Sequence, residues 1–273
     1  MTAEILDAEK LVKSQSEAIS GFFGMEIPKP PKPDDWLFEV IERNRKEKLF
    51  DVNALRPFYL PRRHLAEGVS FPGLKWPLDP WLYIRTREGR VDADADRLPE
   101  GWMLLGLAER PYYDNGKQMY PDTPRFKEML ADLREQGQIA VPRSYRHVRK
   151  DSRFAISSQE IDGNKAVVAK AVAAILGSKT EQFSTPPYAV LNYVGNLAHP
   201  EFGQVNTAEW LRNRFGWFRD TFFGWLIDRL GFGTRLAGGF SDYGGLSCVA
   251  NWHSDDRPDG LGFRLQISSP AEA

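Results

Sequence analysis

Apolar positions recur at helical spacing over the first fifty residues, then give way to shorter and more irregular runs. Ile5, Leu6, Leu11 and Val12, with charges between them, predict a helix over residues 3–20. Trp36 to Phe50 predicts a second, amphipathic helix with Asp34 or Asp35 as its cap. Between the two, Ile27-Pro-Lys-Pro-Pro-Lys-Pro-Asp favours extended, polyproline-like backbone and reads as a linker or arm. Residues 51–80 are rich in proline and aromatics and predict an irregular wrap onto the main body. From Trp81 onward the runs shorten: Trp81–Thr86, Gly101–Ala108 and Tyr188–Val194 predict strands. Pro124–Gln136 predicts a helix capped by Asp122 or Thr123 and ended by Gly137. Ser158–Leu176 predicts another, stopped by Gly177 and weakened in its first turn by Gly163, which costs roughly 1 kcal/mol against alanine. Short strands, two helices in the main body and long loops together predict the α+β class. The division that follows is a helical and proline-rich N-terminal extension over residues 1–76 and a main domain over 77–273.

Composition narrows the function classes. With 273 residues, 42% of them hydrophobic, the chain can bury the core of one large domain or of one domain with an extension. A net charge of −1 leaves no electrostatic footprint for nucleic acid. The densest basic run, Arg143 to Arg153, reads as a solvated charged face. A single cysteine excludes an internal disulfide and a cysteine-rich zinc site. The first residues lack the basic start and apolar run of a secretion signal, so a cytoplasmic protein or a virion component is expected. The most apolar stretch, Phe215 to Phe232, carries Arg219, Asp220, Asp228 and Arg229 and makes a poor membrane span. Its dense aromatics read as packing within the domain. The alternative is a partner or homo-oligomer contact, a role open to the N-terminal arm as well.

Motifs for chemistry are scarce. Asp92, Asp94 and Asp96 have the look of a calcium loop, but that loop needs Gly at its sixth position and Glu at its twelfth, where Arg97 and Met103 stand. A polar turn is the expected reading. His64, His147, His199 and His253 are scattered without ligand spacing, and Cys248 has no evident activating base. Phosphate loop, nucleophile elbow and dinucleotide fingerprint are all missing from the sequence. No catalytic residue, metal or cofactor is therefore expected.

The end of the chain is the most informative part. Gly238-Gly239, Gly244-Gly245 and Gly262 are spaced like backbone fixtures, with Leu246, Val249, Trp252, Leu261, Phe263 and Leu265 as anchors for a small core. Between them stand residues with no helix or strand logic: Phe240, Asp242, Tyr243, Cys248, Ala250, Asn251, His253, Asp255, Asp256, Pro258 and Gly260. Upstream lies Asn206-Thr-Ala-Glu209-Trp210, then Arg235-Leu-Ala-Gly238-Gly239, and the run closes on Gly262-Phe263-Arg264-Leu265. This succession resembles the C-type-lectin-like fold of the formylglycine-generating-enzyme superfamily, over residues 205–266. The resemblance implies two helices and a small twisted antiparallel sheet around long loops, with Asn206, Glu209, Trp210, Gly238, Gly239, Trp252, Gly262, Phe263 and Arg264 as scaffold. The formylglycine-forming enzymes hold copper on two cysteines, and this chain has Cys248 alone. Their iron-dependent relatives use histidines in an arrangement missing here.

The remaining branch is the variable proteins of diversity-generating retroelements, whose C-terminal strip is rewritten at adenines, chiefly in Asn codons. Randomising the adenines of AAC or AAT cannot produce Lys, Glu, Gln, Met or Trp. Between Gly238 and Arg264 there is no Lys, Glu, Gln or Met, and Trp252 is the only Trp. All eleven of the residues without helix or strand logic are reachable from an Asn codon, so 238–264 is the expected variable region. The function implied is display of diversified side chains for recognition of a protein or surface ligand, not catalysis. Tyr243, Phe240 and His253 are the expected anchors, because aromatics carry disproportionate interface energy. Two alternatives stay open: an oxidase relative of the same fold with an unrecognised site, and a structural or assembly module.

Overall fold

The computed structural model describes residues 7–107, 111–115, 117–140, 148–199, 202, 208–216, 233–239, 241 and 244–269. Asp7 caps helix α1 (Ala8–Phe23) by accepting the Glu9 N–H, and Gly24 ends it in the left-handed region. Val12, Gln15, Ile19, Phe22 and Phe23 form its buried stripe, at the three- and four-residue spacing that the period demands. The proline-rich segment that follows forms neither helix nor strand, and it lies on the body, where Pro31 O accepts the Trp102 indole N–H at 2.9 Å. Helix α2 (Asp35–Glu47) starts from Asp34. The buried Asn44 side chain then shapes the exit, accepting from Phe50 N at 2.8 Å and donating to Phe50 O at 3.1 Å.

Residues 51–80 contain more order than their composition suggests. Strand β1 (Leu55–Leu60) runs antiparallel to β4 (Gly101–Gly106), and β2 (Arg63–His64) pairs with β3 (Arg97–Leu98). The turn ahead of β3 carries Asp92, Asp94 and Asp96 and is closed by Ala95 N to Asp92 O and Arg97 N to Asp94 O bonds.

Two segments read as strands are helices. Helix α3 (Pro80–Arg87) has proline in its first turn and Asp79 accepting the Trp81 N–H. Those start signals outweigh the strand preference of Trp81, Tyr83 and Ile84. Helix α7 (Tyr188–Ala198) is buried on all sides from Tyr188 to Asn196, so its apolar run carries no period by which to tell helix from strand. Its first N–H, on Tyr188, is taken by Asn213 Oδ1 at 2.7 Å, a cap supplied from a distant strand. The helix expected over Ser158–Leu176 is two: α5 (Ser158–Ile161), with a Ser157–Glu160 capping box, and α6 (Val167–Leu176). Ala166, at φ +46°, forms the corner between them. Helix α4 (Pro124–Glu135) is capped by Thr123 and followed by Gly137 at φ +68°, as its sequence predicts.

Among the described residues there are seven α-helices and two four-stranded sheets, a mixed α+β architecture; five of the helices, α3 to α7, fall within 77–273, where two were expected. The first sheet has the order β1-β4-β12-β7, with β7 (Phe183–Ser184) and β12 (Gln266–Ser268). The second has the order β10-β9-β8-β11, from β8 (Ala208–Phe215), β9 (Thr234–Gly238), β10 (Val249–His253) and β11 (Leu261–Gly262). In it β11 runs parallel to β8 and the other pairs are antiparallel. A short hairpin, β5 (Tyr112–Asp114) and β6 (Lys117–Met119), stands apart. One contiguous core takes in α1, α2 and β1 together with α7 and both large sheets, so packing is unbroken across residue 76.

Candidate functional site

Four of the scaffold residues, Glu209, Gly238, Gly262 and Arg264, meet at one buried network. Glu209 sits on β8 where that strand is flanked by Gly238 of β9 and Gly262 of β11. Its carboxylate accepts from Arg264 Nε at 2.8 Å and from the Tyr120 hydroxyl at 2.9 Å. Burial pushes the Tyr120 phenol well above its ordinary pKa, and the Glu209 carboxylate adds to this, so Tyr120 stays a donor. The Arg264 guanidinium also stacks on Phe202, 3.9 Å from the ring centre. Gly262 makes this possible: a Cβ there would lie 2.7 Å from the Tyr120 ring and hydroxyl. Next along β8, the fully buried Trp210 donates its indole N–H to Ile156 O at 2.9 Å. Gly239 turns the chain at φ +101°, a conformation that favours glycine. Phe263 is buried, and Trp252 is half-buried against the core. Asn206 lies outside the described residues.

Between these fixtures the chain is pinned at intervals. Leu246 packs on Gly195 of α7, and Asn192 of α7 donates to Leu246 O at 3.3 Å. Buried Ser254 accepts from Ser158 Oγ at 3.1 Å through its carbonyl and from Gln159 Nε2 at 3.0 Å through its hydroxyl. Arg257 forks onto Glu160, with Nε and Nη2 each 3.0 Å from a carboxylate oxygen. Pro258 O accepts the Leu261 N–H, and His253 O accepts the Asp256 N–H.

The positions read as displayed fall between the pins. His253 and Asp256 are exposed, and Ala250, Asn251, Asp255, Pro258 and Gly260 are half-exposed. Ala250, Asn251 and His253 stand on β10, an outer strand of its sheet. Cys248 departs from the expectation. It is 5% exposed, behind the Gly245–Ser247 turn, and belongs to the frame. Phe240, Asp242 and Tyr243 lie outside the described residues, as do residues 217–232 of the aromatic stretch and 143–147 of the basic run. Phe215, at the start of that aromatic stretch, is buried and stacks on Trp81.

No family model, curated protein or solved structure matches this chain. Among the described residues no helix is long and apolar enough to cross a membrane. No group of three or more His, Cys, Asp or Glu side chains among them is placed to hold a metal ion.

Glu160 is a site residue that sequence reading missed, because it looked like one more polar position in a helix. Besides Arg257 it accepts from Ala140 N at 2.8 Å, Ser157 N at 3.0 Å and Ser157 Oγ at 2.9 Å. Burial pushes its carboxyl up, but the hydrogen bonds from Arg257, Ala140 and Ser157 prevail and hold it below the ordinary 4.5. A carboxyl lowered in the folded state contributes stability above its unfolded pKa, and that contribution is lost as pH falls through the folded value. The melting-temperature gap between wild type and Glu160→Gln should therefore narrow as pH is lowered from about 6 to about 3. A gap that stays constant over that range in thermal melts would refute the assignment.

Proposed function

We propose that this chain is a ligand-binding display protein of C-type-lectin-like architecture, whose segment 238–264 presents interchangeable side chains for recognition of a protein or surface ligand. The observation that carries the reading is the alternation just described. Buried contacts to Glu209, Glu160, Ser158, Gln159 and α7 fix the backbone of the segment at short intervals. Between those contacts Ala250, Asn251, His253, Asp255 and Asp256 reach solvent. Rigid presentation serves recognition because ordering a loop on binding weakens affinity. The composition of 238–264, free of Lys, Glu, Gln and Met, agrees with rewriting at Asn codons.

The test separates frame from display positions. Single substitutions at Ala250, Asn251, His253, Asp255 and Asp256, to residues reachable from Asn codons, should each shift stability by no more than about 0.5 kcal/mol in urea melts. Libraries randomised at these positions should then yield binders to immobilised lysozyme by surface display. Unfolding at most of the five positions would end the proposal. The flanking DNA gives an independent check: a near-repeat of the codons for 238–264, beside a reverse transcriptase gene, is expected.

A further inference from the structure

A cavity of about 760 Å³ lies between the Asp92–Arg97 turn, the start of α6, the turn at Thr180–Gln182 and the paired strands β8 and β9. Arg97, Lys170, Arg212, Arg214 and Arg235 all line it. Arg212 and Arg214 are exposed and two residues apart on β8, which puts them on one face. Arg214 lies directly across from Arg235 of β9. Like charges facing each other across antiparallel strands are destabilising, so packing alone does not account for this arrangement.

The pairing inside the cavity leaves cationic groups open. The Arg235 side chain is 10% exposed, and its Nη1 engages Asp162 and Thr185 Oγ1. Its Nε and Nη2 have no partner among the described residues, nor do the guanidinium groups of Arg212 and Arg214. Asp162 is already satisfied on its other oxygen, which accepts from Thr185 N at 2.6 Å and Thr185 Oγ1 at 2.9 Å. Three carboxylates remain on the lining, Asp92, Asp94 and Glu181. Asp92 takes the Arg214 backbone N–H at 3.0 Å, and the other two are exposed. The ten-residue helix α6 begins at the cavity without a side-chain cap, so its positive end adds to the field.

We propose that this cleft binds a small polyanion, whose phosphate or carboxylate group is held by Arg235, Arg214 and Arg212. The site is separate from the display positions and does not rest on that reading. Pyrophosphate and citrate serve as probes, in calorimetric titrations and thermal melts against sodium chloride at matched ionic strength. Saturable one-site binding of either probe, with a raised melting temperature, is expected; which probe binds assigns phosphate or carboxylate. The double variant Arg212→Gln/Arg214→Gln should fold as well as wild type, because both side chains are exposed, and should bind at least about tenfold more weakly. Absence of binding by both probes, or unchanged affinity in the folded double variant, overturns the proposal.

Discussion

Arg264→Met should destabilise the protein by about 3–5 kcal/mol, one of the two largest losses expected from a single side chain. The substitution keeps the bulk that packs on Phe202 and removes the charge that answers Glu209. The Arg264 side chain is 2% exposed and that of Glu209 is 11% exposed, so the orphaned carboxylate has little water to turn to. Among the described residues Tyr120 alone remains as its donor. Removing one partner of a buried pair is more harmful than removing both, since the second removal relieves the stranded charge. Urea melts of Arg264→Met, Glu209→Gln and the double variant measure this directly. The double variant should recover part of the loss; additive losses, or a single loss under about 1 kcal/mol, would show that the pair is not the junction of the two ends of the C-terminal segment.

The second large effect is expected at Trp210. Trp210→Ala should cost about 3–5 kcal/mol through the cavity it opens beneath β8. Trp210→Phe keeps most of the volume but leaves Ile156 O without its donor, for a smaller loss of about 1–3 kcal/mol. Ile156 follows Ala155, which is buried at φ +57°, so Trp210 also steadies a conformation that a non-glycine residue seldom adopts. Equal losses for the two variants would assign the effect to the hydrogen bond and its strained neighbour instead of to packing.

What was legible in the sequence was local. Caps and breakers marked α4 to within a few residues, because Thr123 and Gly137 act on their own neighbours, and Asp34 marked the start of α2 by position, without a side-chain cap bond. The glycines of the C-terminal stretch were legible as fixtures for a similar reason. What failed depended on distant partners. The run at Tyr188 could not declare itself a helix, since its cap comes from Asn213 and its neighbours cover every side. Cys248 looked like a variable position because small residues surround it, and the backbone turns its side chain inward. The fork of Arg257 on Glu160 joins residues 97 positions apart, a separation on which periodicity is silent. The facing of Arg214 and Arg235 is equally hidden, because it follows from a register shifted by an irregularity between Trp210 and Arg214.

Strand β12 occupies an inner place in the first sheet, between β4 and β7, and it follows the 238–264 segment in the chain. A ribosome must read correctly through every codon of that segment before the sheet can be completed. A frameshift or premature stop introduced there would forfeit Gln266–Ser268, leaving β4 short of a neighbour and β7 with none among the described strands. Such products would expose raw strand edges and fall to cellular proteases. Completion of the first sheet thus depends on an intact reading frame through the whole 238–264 segment.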